Sequence, residues 1–153
     1  MSEMSYPAIP DPEGVERVYG ELLARAPENK MAPRLDAVRR AVEILGDVHR
    51  AAPVIHITGT NGKTSTARMI ESLLLAHDLR TGRFTSPHLE SVTERISING
   101  EPVPDATFVR VWDEILPYLT LVDEEFAARG EPKLTFFESI TVLALSLIHI
   151  SDG

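Results

Sequence analysis

The stretch Val54-Ile55-His56-Ile57-Thr58-Gly59-Thr60-Asn61-Gly62-Lys63-Thr64-Ser65 constrains this chain more than any other. Val54 to Ile57 is a short apolar run rich in β-branched residues, the pattern of a strand covered on both faces of a parallel sheet. Ala67, Ile70 and Leu74, with Met69 and Leu73 beside them, recur at helical spacing up to about His77. A turn between strand and helix presents unpaired N–H groups at the positive end of the helix dipole, which suits a polyphosphate. Gly59 and Gly62 permit tight or left-handed backbone angles, and Lys63 can lie along the β- and γ-phosphates. A hydroxyl from Thr64 or Ser65 can ligate magnesium. Ile57 stands where the general P-loop has its first glycine, so this is a shortened variant. A glycine-containing turn with a solvent-facing lysine is the plainer reading, but the order of strand, glycines, lysine and hydroxyls is the one phosphate binding needs.

Around this segment the pattern alternates between helix and short strand. Asp11-Pro12 has the form of an N-cap followed by proline in the first turn, and Val15, Val18, Tyr19 and Leu22 continue a helix to about Arg25. After a loop from Ala26 to Ala32, the residues Leu35, Val38, Val42 and Leu45 mark a second helix that Gly46 is placed to end. Leu79 to Thr85 reads as a strand that completes a βαβ unit with Val54 to Ile57. Ile96 and Ile98 before Asn99-Gly100 predict a hairpin between Glu94 and Val103. Asp105 is a candidate cap for a helix carrying Phe108, Val111, Trp112 and Ile115, which Pro117 should kink or end. Leu119 to Ala128 continues as helix, Gly130-Glu131-Pro132 breaks it, and Thr135 and Glu138 have capping-box spacing ahead of Ile140, Leu143 and Leu147. The expected fold is therefore α/β: a P-loop-type parallel sheet with flanking helices and a β-hairpin, forming an incomplete ATPase domain. Residues 1–50 are leading helices, 53–145 carry the P-loop βαβ unit, hairpin and helices, and 146–153 form an atypical, non-native-looking tail.

Composition narrows the function. With 43% hydrophobic residues in 153, the chain can bury a sizeable core, and its net charge of −8 argues against general nucleic-acid binding. The apolar stretches at Val54 to Ile57 and Ile140 to Ile150 are too short to span a bilayer, and no basic-then-apolar leader opens the chain. A soluble protein with no membrane partner is expected. The absence of cysteine excludes thiolate chemistry and fits a cytoplasmic setting.

The string Thr58 to Ser65, TGTNGKTS, resembles the shortened P-loop of the Mur ligase superfamily. Together with Phe84 to Leu89, FTSPHL, then Glu94-Arg95-Ile96 and Asn99-Gly100, it resembles the dihydrofolate synthase and folylpolyglutamate synthase branch. The resemblance runs from about Arg34 to Leu145 and implies the amino-terminal part of an ATP-dependent ligase. Such enzymes convert a carboxylate to an acyl phosphate, which the amine of L-glutamate attacks; the substrates are dihydropteroate or a reduced folate. Carried over by residue, Gly59, Thr60, Asn61, Gly62, Lys63, Thr64 and Ser65 would hold ATP, with Lys63 in the catalytic role, and Thr64 and Ser86 would hold Mg2+. Thr135-Phe136-Phe137-Glu138 is similar to the family's pterin-side motif, so Phe136, Phe137 and Glu138 are candidate substrate contacts. The family's later strand, further magnesium histidine, modified lysine and glutamate-receiving domain have no counterpart here, so this chain alone should not complete ligation. Cutting a sheet in mid-domain should leave marginal stability or self-association.

Other readings stay open on the same residues. The chain is alternatively a non-catalytic nucleotide-binding module, or part of a Mur ligase acting on a UDP-linked cell-wall precursor. Phe136 and Phe137 are also plain core candidates, a capping box accounts for Glu138 without a ligand, and Ser86-Pro87 is also a plain turn. His56 is expected to be a satisfied core imidazole, and His88 a hydrogen-bonded loop residue with its role open. Glu94 and Arg95, adjacent in a strand, would face opposite ways and could not form one site. Asp123-Glu124-Glu125 is expected to be a solvated face and Trp112 to be core.

Overall fold

The computed structural model describes residues 9–27 and 32–151. The expectations that fall on residues 1–8, on 28–31 of the first loop and on the last two positions of the tail lie outside them. Among the described residues, five α-helices and a small antiparallel sheet make up the fold: α1 (Pro12–Leu23), α2 (Asp36–Ile44), α3 (Lys63–Ala76), β1 (Gly82–Phe84), β2 (Ile96–Ile98), β3 (Glu101–Pro102), α4 (Asp105–Ala128) and α5 (Phe136–Ser151).

Local chemistry sets the ends of these elements. Asp11 caps α1 by accepting from the Gly14 N–H at 3.1 Å, and proline fills the first turn, where no N–H is missed. Asp105 does not cap α4, whose N-cap is Pro104; its carboxylate instead accepts from the Asp11 N–H at 2.9 Å, tying the starts of α1 and α4 together. Asn99 and Gly100 both have positive φ, +51° and +84°, as the two central residues of a type I′ turn require, and they join β2 to β3.

The core is helical. Val15, Val18 and Leu22 of α1, Ala41 and Val42 of α2, Phe108, Val111, Trp112, Ile115, Leu119, Val122 and Phe126 of α4, and Ile140, Leu143 and Leu147 of α5 form one buried cluster. Full burial of each large apolar side chain contributes roughly 1.5–3 kcal/mol, so this four-helix assembly supplies most of the driving force. The Trp112 indole N–H donates to Glu21 on α1, which satisfies its polar edge inside the core.

Several expectations fail for stated reasons. Val54 to Ile57 is not a strand: Val54 is 73% and Ile55 61% exposed. No described segment pairs with it, so its N–H and C=O groups form no ladder, and His56 is exposed rather than a core imidazole. β1 therefore pairs antiparallel with β2, Arg83 opposite Ser97, and the expected parallel βαβ unit is absent among the described residues.

Pro117 does not end α4, which runs through it. Buried Trp112 and Ile115 before it and Leu119 and Val122 after it hold both halves against the core, outweighing the one lost hydrogen bond. Asp123 is buried, not solvated, and pairs with Arg25 at 3.0 Å. The tail continues α5 as far as Ser151, with Leu147 fully buried.

Candidate phosphate loop and an aromatic cluster

The turn ahead of α3 leaves the start of the helix open. Gly62 is the N-cap of α3 with φ +74°, and Gly59 has φ +141°, both conformations that a side chain disfavours. No side chain caps this helix. Its first internal bond is the Thr66 N–H donating to the Gly62 carbonyl at 2.9 Å. The main-chain N–H groups of Thr60 to Ser65 donate to no protein acceptor among the described residues, so the positive end of α3 faces solvent with its donors unused. A Cβ placed on Gly59 would lie 3.9 Å from Lys63 Cγ, so the lysine stem folds back over the turn. Lys63 forms no ion pair among the described residues, and Thr64 and Ser65 are exposed.

Ser86 is exposed just beyond β1 and is joined to Pro87 by a cis peptide bond. The loop that follows is held by two adjacent residues. Val92–Arg95 forms a short 3₁₀ turn rather than strand, which overturns the expectation that Glu94 and Arg95 act on opposite sides. The Glu94 carboxylate accepts from the N–H groups of Leu89, Glu90 and Ser91 at 3.0, 2.8 and 2.8 Å. Those bonds, led by the one from Leu89, hold its carboxyl below the usual glutamate range. Arg95 Nε donates to His88 Nδ1 at 2.8 Å. Because a guanidinium only donates, His88 Nδ1 must carry the lone pair, and the neutral ring keeps its proton on Nε2. Burial first, and Arg95 second, push the His88 pKa down.

This imidazole belongs to an aromatic cluster. The Tyr19 ring meets His88 edge-on at 5.2 Å and Phe136 at 6.3 Å, and the Arg95 guanidinium lies 5.5 Å over Phe136. All four side chains are half-buried, leaving a partly open cluster of flat faces beside Ser86. Phe137 is 43% exposed and packs near Phe84 at 6.1 Å. Glu138 is buried and closes the expected capping box: its carboxylate accepts from the Thr135 N–H at 3.0 Å, and its own N–H donates to Thr135 Oγ1 at 3.2 Å. The same carboxylate also accepts from Arg34 at 3.0 and 3.2 Å.

Arg34 donates as well to the carbonyls of Pro132 and Lys133, so it fastens the segment leading into α5. Glu138 is thus committed to protein partners, whereas Phe136 and Phe137 keep open faces. The structure does not bring Phe137 into the cluster around Phe136. Nothing local in the sequence singled out Arg34 or Tyr19 as part of this region, since Arg34 meets Glu138 and Tyr19 meets His88 and Phe136, all far along the chain. No group of three or more metal-ligating His, Asp or Glu side chains occurs among the described residues.

Taken together, the described residues define a mixed helix-and-sheet protein whose glycine turn leaves the start of α3 uncapped. No protein-family model matches it. It is 41% identical over 144 residues to a dihydrofolate synthase/folylpolyglutamate synthase of Mycobacterium tuberculosis, covering 90% of this chain and 30% of that protein. It is also 35% identical over 113 residues to the enzyme of the same name from Escherichia coli, covering 74% of this chain and 24% of that one. Among solved structures, Mycobacterium tuberculosis folylpolyglutamate synthase complexed with ADP superposes with a TM-score of 0.83 at 38% identity, covering 91% of this chain and 30% of that one. Folylpolyglutamate synthase from Thermotoga maritima superposes at 0.79 with 29% identity, over 91% of this chain and 31% of that one. The chain belongs to the dihydrofolate synthase/folylpolyglutamate synthase family, and spans about a third or less of the length of these relatives.

Proposed function

We propose that the Gly59–Ser65 turn binds the triphosphate of ATP with Mg2+, and that this chain provides the nucleotide-binding part of a ligase joining L-glutamate to dihydropteroate or a folate. The observation that carries this reading is the row of unused N–H donors from Thr60 to Ser65, with the Lys63 stem folded over Gly59. Thr60 and Asn61 supply donors within the turn, and Gly59 and Gly62 let the backbone approach the phosphates. Lys63 offsets the charge that gathers between nucleotide and carboxylate, and Thr64 and Ser86 offer hydroxyls to the metal. Bound ATP with magnesium would supply the phosphoryl group that turns a carboxylate into an acyl phosphate, releasing ADP; the glutamate amine would then attack the acyl carbon and expel inorganic phosphate, giving the amide. The half-buried faces of Phe136, Tyr19 and His88 suit a flat heterocycle, and the His88 Nε2–H offers it one neutral donor. Pairing of Val54 to Ile57 into a parallel sheet belongs to the whole ligase, where further strands would cover them. A cytoplasmic setting and small-molecule partners go with this reading; no described helix is long and apolar enough to cross a membrane.

Calorimetric titration of Mg–ATP into the chain and into Lys63→Ala tests the site. Loss of the ammonium should weaken binding by about tenfold or more, since a charge-assisted hydrogen bond contributes roughly 1.5–3 kcal/mol. Equal affinity in a folded variant would refute the assignment.

A further inference from the structure

The loop-bearing helix α3 is attached to the rest of the molecule in an unusual way. Its only buried residue is a carboxylate, Glu71, while Met69 and Leu73 are 60% and 64% exposed. Glu71 Oε1 accepts from Arg83 Nε on β1 at 3.1 Å, with both side chains largely buried. Arg83 also donates to Ser97 Oγ on β2 at 3.1 Å and to Thr85 Oγ1 at 3.4 Å, so the guanidinium is fixed from three sides. Glu71 Oε2 is buried with no protein hydrogen-bond partner, which leaves Arg83 as the carboxylate's one anchor among the described residues.

A second contact sets the direction in which helix and strand run. A Cβ on Gly100 would lie 3.2 Å from Leu75 Cδ1, and the neighbouring Asn99 N–H donates to the Thr81 carbonyl. Leu75 is thus level with the start of β1, and Glu71 with Arg83 further along, so moving back along α3 is moving forward along β1. From Glu71 back to Thr64 is two helical turns, about 10 Å, and places Thr64 on the same helix face. From Arg83 forward, Phe84 ends β1, and Ser86 lies in the bend two residues beyond it. The ion pair thus joins the helix that carries Thr64 to the strand whose outgoing chain carries Ser86, the two residues of the proposed metal pair.

We propose that Glu71 and Arg83 are positioning residues that set the spacing between Thr64 and Ser86, and hence the magnesium affinity of the site. The inference rests on the phosphate-loop reading above. It assigns the ion pair an effect on the metal and none on the phosphate cradle, because the N–H donors and Lys63 belong to the turn itself.

The test is calorimetric titration of the 153-residue chain with ATP in excess magnesium and with ATP in chelator, for wild type, Glu71→Gln and Arg83→Met. Circular dichroism checks that each variant is folded. The wild type should bind ATP more tightly with magnesium than without. Each variant should lose roughly tenfold of that magnesium gain and keep its magnesium-free affinity, and the double variant should be no worse than either single. A magnesium gain that survives in folded Glu71→Gln and Arg83→Met overturns the inference while leaving the loop assignment standing. A folded wild type that binds neither form overturns the loop assignment, and the inference with it. Should Glu71→Gln fail to fold, Glu71→Asp decides, since it keeps the charge but shortens the reach. A reduced magnesium gain with unchanged magnesium-free affinity supports the proposal, and an unchanged gain overturns it.

Discussion

Glu94 and Arg95 are neighbours in sequence, yet one gathers three loop amides and the other holds an imidazole of the same loop. The 3₁₀ turn makes this possible, because its residues splay by a third of a turn rather than alternating across a pleat. Replacing Glu94 with Ala should release those amides, so hydrogen exchange at Leu89, Glu90 and Ser91 should quicken while that of β2 stays unchanged. The pH dependence has a definite sign. The folded carboxyl lies below its unfolded value, so its contribution is fully present above the ordinary glutamate range and is lost as pH falls through the folded value. The loop should therefore open on acidification, before the helical core melts. His88 acts in the same sense, since its depressed pKa favours folding at neutral pH and loses that contribution below the ordinary histidine range. Carbon-13 titration of the Glu94 carboxyl and nitrogen-15 shifts of the His88 ring would check both directions.

At the scale of elements, two joints are open to direct measurement. The start of α5 depends on Glu138, which caps the helix and neutralises Arg34 in a nearly buried pair with 16% and 7% side-chain exposure. Glu138→Ala should cost about 3 kcal/mol in urea unfolding, because Arg34 is left largely buried without its partner. Arg34→Met should be milder, since the capping box survives it. The other joint lies between β1 and the end of α5. A Cβ on Gly82 would stand 2.6 Å from Ile148 Cγ1, so Gly82→Ala should cost roughly 1–3 kcal/mol, and trimming Ile148 to Val in the same chain should recover part of it. That contact also gives the last turns of α5 a structural role that their sequence did not advertise.

At the scale of the molecule, the described residues divide into a tight helical body and a looser side around α3. The body of α1, α2, α4 and α5 holds the buried cluster, with Leu23, Leu121, Phe137 and Ile150 exposed on its surface, whereas Val54, Ile55, Met69, Leu73 and Leu79 are all more than half exposed with no such core beneath them. Exposed apolar residues of this size promote association. Sedimentation should show self-association rising with concentration, and Ile55→Lys combined with Leu73→Lys should suppress it without lowering the stability of the body.

Much of this was legible in one dimension. The glycine turn and its lysine, the helix caps at Asp11 and Thr135, the Asn99-Gly100 hairpin and the helical faces of α1, α2 and α5 all follow from local spacing and backbone preference. Such features depend on residues a few positions apart, and short-range sterics and hydrogen bonding decide them. What the sequence could not settle depends on which distant segments meet. Val54 to Ile57 has the composition of a covered strand but becomes one only where partner backbones lie alongside, and none does among the described residues. Pro117 stays inside α4 because the burial of its neighbours outweighs one missing hydrogen bond. Asp123, Glu138 and Glu71 become buried ion partners only because Arg25, Arg34 and Arg83 are brought to them by packing. The glycine turn is thus written in the chain's own letters, while the arginine clamps and the aromatic cluster around Phe136 exist only once the helices have docked.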